Sequence, residues 1–284
     1  MKLLDSISFI GGGVMAEAMI QGLLSKKIVN PNGIIASEPR QERREELERK
    51  HGVKVTSDNR EAITDCEVIV LALKPQDLKS ALTELKGLLL PKQMVMSIVA
   101  GARLNSINEG LAHEVIVRVM PNTPAQIGEG MSVWVATRSV TPRQLHQARA
   151  ILQALGKERY MNDEKFLDMA TAISGTGPTY VFLVMEAMVD AAVHLGFPRH
   201  IAYELVTETM RGSINFAMKS AKHPAELRNM VTSPGGTSAA ALYQLEKGSL
   251  RTVLSKAIWA AYERSKSLGG ENSFWVETAK ITPT

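Results

Sequence analysis

A glycine-rich segment near the start of the chain has the spacing of a dinucleotide-binding loop. Residues 11–16 have the sequence GGGVMA, which fits the pattern GxGxxA and follows a short apolar run. In such a loop Gly11 permits a tight turn, Gly13 lets the backbone approach a pyrophosphate, and Ala16 lets the next helix pack closely on the sheet. Unpaired N–H groups at that helix start attract the anion. An ordinary glycine turn is the alternative, but the motif lies between a predicted strand and a predicted helix, as dinucleotide binding requires.

The residues after the second predicted strand bear on which dinucleotide is bound. An acidic residue at this position holds the ribose hydroxyls of NAD(H), whereas Ser or Arg accommodates the 2′-phosphate of NADP(H). The chain has Ser37, Glu38 and Arg40 here. Glu38 favours NAD(H), and Ser37 with Arg40 favours NADP(H), although Arg40 is also typical of a solvated helix. We predict NADP(H) as the preferred cofactor, with NAD(H) as the alternative.

Two clusters of small residues interrupt the helical patterns of the second half. In residues 174–180, SGTGPTY, two glycines and a proline break a stretch suited to one long helix, and a simple kink in that helix is the alternative. In residues 233–238, SPGGTS, two glycines with flanking hydroxyls stand at a predicted helix start. Unpaired N–H groups there would form an anion site the size of a carboxylate. A capped helix start after a turn is the alternative.

The elements that must position these motifs differ between the two halves of the chain. In the first half, apolar strands without polar alternation are interleaved with helices, which predicts a doubly wound parallel sheet covered on both faces. Six strands begin at Ile7, Gly33, Val53, Cys66, Gln93 and His113, and two further strands from Met131 and Gly156 extend the sheet.

From Asp163 onward the pattern indicates helices separated by Gly and Pro, with no convincing strand after about residue 162. The predicted fold class is α/β, with an N-terminal Rossmann-type dinucleotide-binding domain over residues 1–162. An all-helical domain over residues 163–284 follows, for substrate binding and oligomerisation. Its helices carry Ala, Met and Leu on more than one face, which is too much apolar surface for a small monomeric bundle. We expect this domain to mediate homo-oligomerisation.

Composition excludes several classes of protein. The net charge is +4, from 33 basic and 29 acidic residues, and the basic residues are scattered, so no nucleic-acid partner is predicted. The single cysteine, Cys66, cannot form an internal disulfide, and we interpret it as a small buried residue in a reducing compartment. No signal-peptide pattern is present, and no run approaches the roughly 20 apolar residues of a membrane span. We therefore expect a cytoplasmic protein with no membrane partner and no metal site.

Five sequence blocks, in order along the chain, carry a resemblance to a known family. They are LALKP at 71–75, IVAG at 98–101, MPNTP at 120–124, SGTGPTY at 174–180 and HPAELRNMVTSPGGTS at 223–238. They resemble the signature blocks of pyrroline-5-carboxylate reductases. The resemblance implies reduction of 1-pyrroline-5-carboxylate to L-proline with NAD(P)H, the last step of proline biosynthesis. It also implies a homodimer or a larger assembly such as a decamer, with the active site at the subunit interface.

The resemblance also assigns roles to individual residues. The cofactor would contact Gly11, Gly13, Val14, Met15, Ala16, Ser37, Glu38, Arg40, Asn59, Ala72, Lys74, Pro75, Ala100, Gly101, Asn122, Thr123 and Pro124. The substrate would contact Ser233, Gly235, Gly236, Thr237 and Ser238, and the catalytic candidates are Ser238 and Thr176. The chain departs from the common family pattern in having Ser238 for Thr, Thr179 for Ala, and Glu38 where Ser or Pro is frequent.

Reduction of a cyclic imine needs little acid–base machinery, because a protonated C=N bond already accepts hydride readily. Positioning and electrostatics can then provide most of the acceleration. We expect the substrate carboxylate to bind the N–H groups of Gly236 and Thr237, aided by the Ser233 hydroxyl. The Ser238 hydroxyl would bond the ring nitrogen and relay a proton. None of the six histidines is an obvious general acid.

Two other functions compete with this one. A β-hydroxyacid dehydrogenase would need a lysine base in the helical half, and after the first small-residue cluster no lysine occurs until Lys219. A non-catalytic dinucleotide-binding sensor would not need the SPGGTS anion loop. Loss of NADPH absorbance with pyrroline-5-carboxylate, compared with a hydroxy acid plus NADP, separates the three functions.

Overall fold

The computed structural model describes residues 4–270, and the chain divides into two compact units. The first unit contains residues 4–177 and 260–270, and the second contains Pro178–Trp259. Residues 1–3 and 271–284, at the outer ends of the two predicted domains, lie outside the described residues. The predicted domain boundary between residues 162 and 163 stays a prediction, because it follows secondary structure whereas the compact units follow packing.

The first unit is built on one eight-stranded sheet with the order β3-β2-β1-β4-β5-β6-β7-β8. The strands are β1 Ile7–Ile10, β2 Ile34–Ser37, β3 Lys54–Thr56, β4 Val68–Leu71, β5 Met94–Ser97, β6 Ile116–Met120, β7 Gly130–Ala136 and β8 Gly156–Tyr160. The first six are parallel, β7 is antiparallel to β6, and β8 is parallel to β7. The doubly wound fold class is confirmed, and the strand order reverses between β1 and β4, where ligands bind in such sheets.

Helices cover both faces of the sheet, which explains why its strands lack polar alternation. The helices of this part of the chain are α1 Val14–Ser25, α2 Gln41–His51, α3 Asn59–Ile63, α4 Pro75–Leu85, α5 Leu104–Leu111 and α6 Pro142–Gln153. Short 3₁₀ helices occupy Pro31–Gly33 and Thr123–Ile127. Two buried clusters result: one includes Met19 and Ile151 from α1 and α6, and the other includes Leu82 and Ile107 from α4 and α5. All residues of β4 and β5 are buried.

The rest of the described chain is helical. It contains α7 Lys165–Ala170, α8 Gly177–His194, α9 Arg199–Ser220, α10 Pro224–Met230, α11 Thr237–Lys247 and α12 Leu250–Leu268. Between Tyr160 and residue 270 there is no strand, as predicted.

A π-helical turn replaces the predicted break in the first small-residue cluster. Helix α7 continues through Thr171–Gly175 into α8. The amide of Thr176 donates to the carbonyl of Thr171, five residues earlier, at 2.8 Å. This wider turn absorbs the change in hydrogen-bond register, so Pro178 lies within one continuous helical stretch. The structure has features of both sequence interpretations: the chain stays helical from Lys165 to His194 apart from a bend at Thr176, and Pro178 lies in the first turn of α8, which begins at Gly177.

The helical stretch from Lys165 to His194 bears on the expectation that the chain has no membrane span. Residues 165–194 form 30 helical residues with a mean hydropathy of 1.2, so by length and composition this stretch could cross a membrane. Length and composition alone do not establish a membrane span, so the expectation that the chain has none stays a prediction. Only 11% of its apolar window is buried within the single chain, which leaves the surface available to a partner.

The second unit has a small core of its own and a large apolar surface. Its buried cluster consists of Val189, Ala202 and Val206. Its exposed apolar side chains include Val181, Phe182, Leu183, Leu205, Ile214, Phe216, Met218, Tyr243, Val253 and Trp259. Large exposed apolar patches on a soluble protein usually mark an interaction surface. A partner surface is therefore expected to cover this unit.

Replacing Trp134 by Phe is expected to destabilise the first unit. Trp134 is completely buried on β7, its Nε1 donates to Glu158 Oε2 at 2.6 Å, and its ring meets that of Tyr160 edge-on at 4.7 Å. The smaller ring loses this bond and leaves a void, at a cost of about 2 kcal/mol and a Tm lower by roughly 5 °C. Thermal unfolding followed by circular dichroism measures the change. Tyr160→Phe keeps the ring pair and should unfold near the original temperature, whereas equal Tm values for all three proteins would contradict the assignment.

Candidate cofactor and substrate sites

The glycine loop between β1 and α1 has the geometry of an anion site. Gly11 has φ +100°, and a Cβ there would lie 2.6 Å from the carbonyl oxygen of Ala72, so only glycine fits this turn. A Cβ on Gly13 would meet no protein atom within 4 Å, so the space in front of the loop is open. The amides of Val14 and Met15 have no acceptor among the described residues. An open helix start with free N–H groups fits a pyrophosphate.

A carboxylate and a guanidinium meet at the end of β2, the position predicted from the sequence to determine the cofactor. Oε2 of Glu38 accepts from the amide of Gly12 at 3.1 Å, and Oε1 accepts from the amide and the Nε of Arg40 at 3.2 Å and 2.8 Å. Burial raises the pKa of the Glu38 carboxyl, but the bonds from Arg40 and Gly12 outweigh that effect and hold it below its usual range. Glu38 is therefore charged and buried, while the Arg40 side chain is 68% exposed.

In the sequence Glu38 favours NAD(H) and Arg40 favours NADP(H), and the contact between the two side chains makes both compatible with one site. Of the three guanidinium nitrogens of Arg40, only Nε bonds to Glu38, so both terminal amino groups remain available to a phosphate. Glu38 is neutralised by the same guanidinium and by the glycine loop, which reduces its repulsion of an anion. The other two candidates bind each other: Ser37 Oγ donates to Asn59 Oδ1 at 2.7 Å, and Asn59 Nδ2 donates to Glu84 at 2.8 Å.

The remaining predicted cofactor residues lie in loops at the carboxyl ends of β4, β5 and β6. Ala72 donates its amide to Ile10 at 2.9 Å, beside the glycine loop. Lys74 and Pro75 begin α4. The other loops contain Ala100 and Gly101 after β5, and Asn122, Thr123 and Pro124 after β6. Ligands of doubly wound sheets bind at this edge. That these residues contact the cofactor stays a prediction.

A buried ion network lies next to these loops, and sequence reasoning missed it. Arg118 on β6 is buried and reaches Glu164 at 2.6 Å and Asp168 at 3.5 Å. Arg103, which follows the Gly101 loop, contacts Asp168 at 3.2 Å. Glu164 also accepts from the amide that begins α5, at 2.8 Å. A single charged residue within the apolar strand IVRVM was the available signal, but its partners lie 46 and 50 residues away.

The last turn of α12 packs against the Gly101 loop. A Cβ on Gly101 would lie 2.7 Å from Leu268 Cβ and 2.8 Å from its carbonyl carbon. Ser265, in the same turn, is buried and donates to Asp168 Oδ1 at 2.8 Å. The ion network therefore includes the end of α12.

The SPGGTS loop of the second unit forms a turn that leads into α11. The amide of Gly236 donates to the carbonyl of Ser233 at 3.1 Å, and a Cβ on Gly236 would lie 2.6 Å from Ser233 Oγ. The expectation that the Gly236 amide is free is therefore wrong, because the turn uses it. The amides of Thr237 and Ser238 have no acceptor among the described residues, so the open amides of this helix start lie one residue further along than predicted. The loop is mostly exposed, including Gly235.

Thr176, the second catalytic candidate, has its hydroxyl oriented by the π-helical turn. Its Oγ1 donates to the carbonyl of Thr171 at 2.9 Å, and its amide donates to the same oxygen. The hydrogen of this hydroxyl is thus engaged, and the oxygen can only accept a further hydrogen bond.

Cys66 is not a nucleophile. Burial raises the pKa of its thiol to about 11, and Sγ donates to the carbonyl of Ala62. Its interpretation as a small buried residue is confirmed. A cavity of about 370 Å³ beside it, lined also by Lys92 and Arg143, opens at the amino ends of the strands and is not the cofactor edge. Among residues 4–270 no cluster of three His, Cys, Asp or Glu could hold a metal ion.

Two family models match the chain. The model described as pyrroline-5-carboxylate reductase dimerisation matches residues 164–268, and the model described as NADP oxidoreductase coenzyme F420-dependent matches residues 6–101. The first covers the helical part of the chain with the large exposed apolar surface, and the second covers the glycine loop and the first five strands.

Known proteins are similar to this chain along nearly its whole length. A pyrroline-5-carboxylate reductase of Synechocystis sp. is 42% identical over 263 residues, which cover 93% of this chain and 98% of that protein. A crystal structure of Plasmodium falciparum pyrroline carboxylate reductase with NADP bound is 32% identical with a TM-score of 0.87, covering 95% of this chain and 99% of that one. A pyrroline-5-carboxylate reductase structure from Coxiella burnetii is 36% identical with a TM-score of 0.83, covering 93% and 98%.

Replacing Glu38 by Ser is expected to raise the preference for NADPH over NADH. The change removes a buried negative charge beside the ribose position and releases Arg40. The ratio of kcat/KM for NADPH to that for NADH should rise about tenfold, equivalent to about 1.4 kcal/mol. Initial rates with each dinucleotide measure the ratio. Glu42→Ser, which removes an exposed charge from the first turn of α2, should change it by less than about twofold. An equal ratio in the Glu38 variant and the original protein would exclude Glu38 as a determinant.

Proposed function

The chain belongs to the pyrroline-5-carboxylate reductase family, and we infer that it reduces 1-pyrroline-5-carboxylate to L-proline with NAD(P)H, preferring NADPH. The observation that carries this function is the presence of two open helix starts, one at α1 and one at α11, in a chain with this family's full-length similarity. One helix start suits a pyrophosphate and the other a single carboxylate. An oxidoreductase acting on a small anionic substrate needs both.

We assign the substrate carboxylate to the amides of Thr237 and Ser238. They are the first amides of α11, where unpaired N–H groups and the helix dipole favour an anion. The exposed Ser233 hydroxyl adds a third donor at the same turn. Gly235 leaves room for a carboxylate to approach, because even a Cβ there would meet no protein atom within 4 Å.

Two hydroxyls are assigned to the ring nitrogen of the imine. Bound NADPH supplies the hydride. The Ser238 hydroxyl, which has no partner among the described residues, bonds the nitrogen and relays a proton to it. Thr176 Oγ1 can only accept, so it favours the nitrogen that carries a proton. A protonated C=N bond is the better hydride acceptor, and no histidine is needed as a general acid.

We propose that the protein works as a homodimer or a larger homo-oligomer in the cytoplasm, with an active site completed by a partner subunit. The large exposed apolar surface of residues 178–259 supports assembly, as does the dimerisation model that matches this segment. Sedimentation at micromolar concentration distinguishes a dimer from a decamer, and a monomer would overturn the proposal.

The activity is tested by following NADPH absorbance after addition of pyrroline-5-carboxylate. Rapid loss of absorbance with formation of proline is the expected result. A hydroxy acid with NADP⁺ serves as the comparison, and reduction of NADP⁺ there without any imine reduction would identify a hydroxyacid dehydrogenase. Binding of NADPH without turnover of either substrate would identify a sensor.

Replacing Ser238 by Ala is expected to lower kcat/KM for the imino acid roughly ten- to a hundredfold. The change removes the hydroxyl and leaves the backbone amide, so carboxylate binding and the KM for NADPH should be nearly unaffected. Ser238→Thr keeps the hydroxyl and should stay within about threefold of the original protein. Steady-state kinetics with each substrate varied give these values, and full activity of the Ala variant would remove the hydroxyl from the mechanism.

A further inference from the structure

The Gly101 loop packs against the end of a helix that is distant in sequence. The Cα of Gly101 faces the backbone of Leu268 so closely that a Cβ would lie 2.8 Å from the Leu268 carbonyl carbon. A Cβ on Gly269 would lie 2.8 Å from Arg103 Nε and 3.2 Å from the Gly101 carbonyl oxygen. The last turn of α12 thus lies against the loop on both sides of Ala102.

One buried hydrogen bond anchors this helix end. Ser265 Oγ donates to Asp168 Oδ1 at 2.8 Å, and both side chains are buried. Asp168 in turn faces Arg118 on β6 and Arg103 at the start of α5. The last turn of a helix lacks part of its backbone hydrogen bonding and frays unless a side chain ties it down. Ser265 provides this hydrogen bond, and its acceptor Asp168 also forms the ion pair with Arg103 beside the loop.

We propose that Ser265 and Asp168 are positioning residues for the dinucleotide, acting through the end of α12 on the Gly101 loop. The proposal rests on the proposed function, in which Ala100 and Gly101 contact NADPH. With the Ser265 bond intact, the helix end stays docked and the loop keeps the conformation that receives the cofactor. Without it, the helix end frays part of the time, and only the docked fraction binds NADPH well.

Ser265→Ala tests the proposal with little risk to the fold, because Asp168 keeps both arginine partners. Apparent affinity falls with the docked fraction, and a lost bond to a charged group can shift such an equilibrium by about thirty- to a hundredfold, which takes a helix end that is about nine-tenths docked to roughly one-quarter to one-tenth docked. We expect Kd and KM for NADPH to rise about three- to tenfold. The KM for the imino acid and kcat at saturating NADPH should stay within about twofold, because the SPGGTS loop and the hydroxyls of Thr176 and Ser238 are unchanged.

Ser267→Ala is the matched control, since this serine is in the same helical turn and its hydroxyl has no partner among the described residues. It should bind NADPH like the original protein. Fluorescence titration of NADPH gives Kd without catalysis, and steady-state kinetics gives the two KM values.

The outcomes separate this proposal from the proposed function. A purely structural role for Ser265 would lower Tm and active fraction without changing the KM for NADPH, and that result would overturn the proposal. Equal Kd values for the Ser265 and Ser267 variants would do the same. If the original protein binds NADPH but does not reduce the imino acid, the proposed function fails, while a selective loss of NADPH affinity in Ser265→Ala would still support the positioning role.

Discussion

The proposed function depends on backbone N–H groups that have no acceptor within the protein. They occur at the starts of α1 and α11, where water can reach them and an anion can replace that water. Each start needs a backbone path that no side chain blocks. Gly11 provides such a path because it has a positive φ and packs against the carbonyl of Ala72, where a side chain would clash. Gly236 provides it because it forms a tight turn against Ser233. The first opening follows β1 of the sheet, and the second lies within the helical second unit.

Local patterns in the sequence predicted the features that depend on neighbouring residues. Eight strands, the glycine loop and the helical second half follow from apolar runs and from Gly and Pro, because burial and backbone freedom act over a few residues. Finer outcomes were decided by hydrogen bonds that no pattern specifies. The Thr171 carbonyl accepts a bond that turns an expected break into a π-turn, and the Ser233 carbonyl takes the Gly236 amide. Prediction from residue types alone has no means of choosing between such acceptors.

The ion network could not be predicted because its members are distant in sequence. Asp168 and Ser265 are separated by 97 residues, and each looks like an ordinary polar residue of a helix. Burial makes their pairing obligatory, since an unpaired charge inside a protein is costly. The network includes α12, whose first residues belong to the second compact unit and whose last residues belong to the first. The segment matched by the dimerisation model ends at Leu268, the residue that packs on Gly101. One helix therefore belongs to the segment matched by the dimerisation model and also packs on the loop predicted to contact the cofactor.

The use of amides rather than cationic side chains at the substrate loop suits the chemistry of an imine. A lysine or arginine beside the carboxylate would place a full positive charge near the ring nitrogen and would lower the pKa of the iminium. In the proposed function the amides of Thr237 and Ser238 would neutralise the carboxylate with partial charges only. Thr176 would also favour a protonated nitrogen, because its hydroxyl hydrogen is bonded to the Thr171 carbonyl and only the lone pairs of its oxygen remain. In the proposed mechanism the loop binds the carboxylate and the turn favours a protonated ring nitrogen, which is the state that accepts hydride.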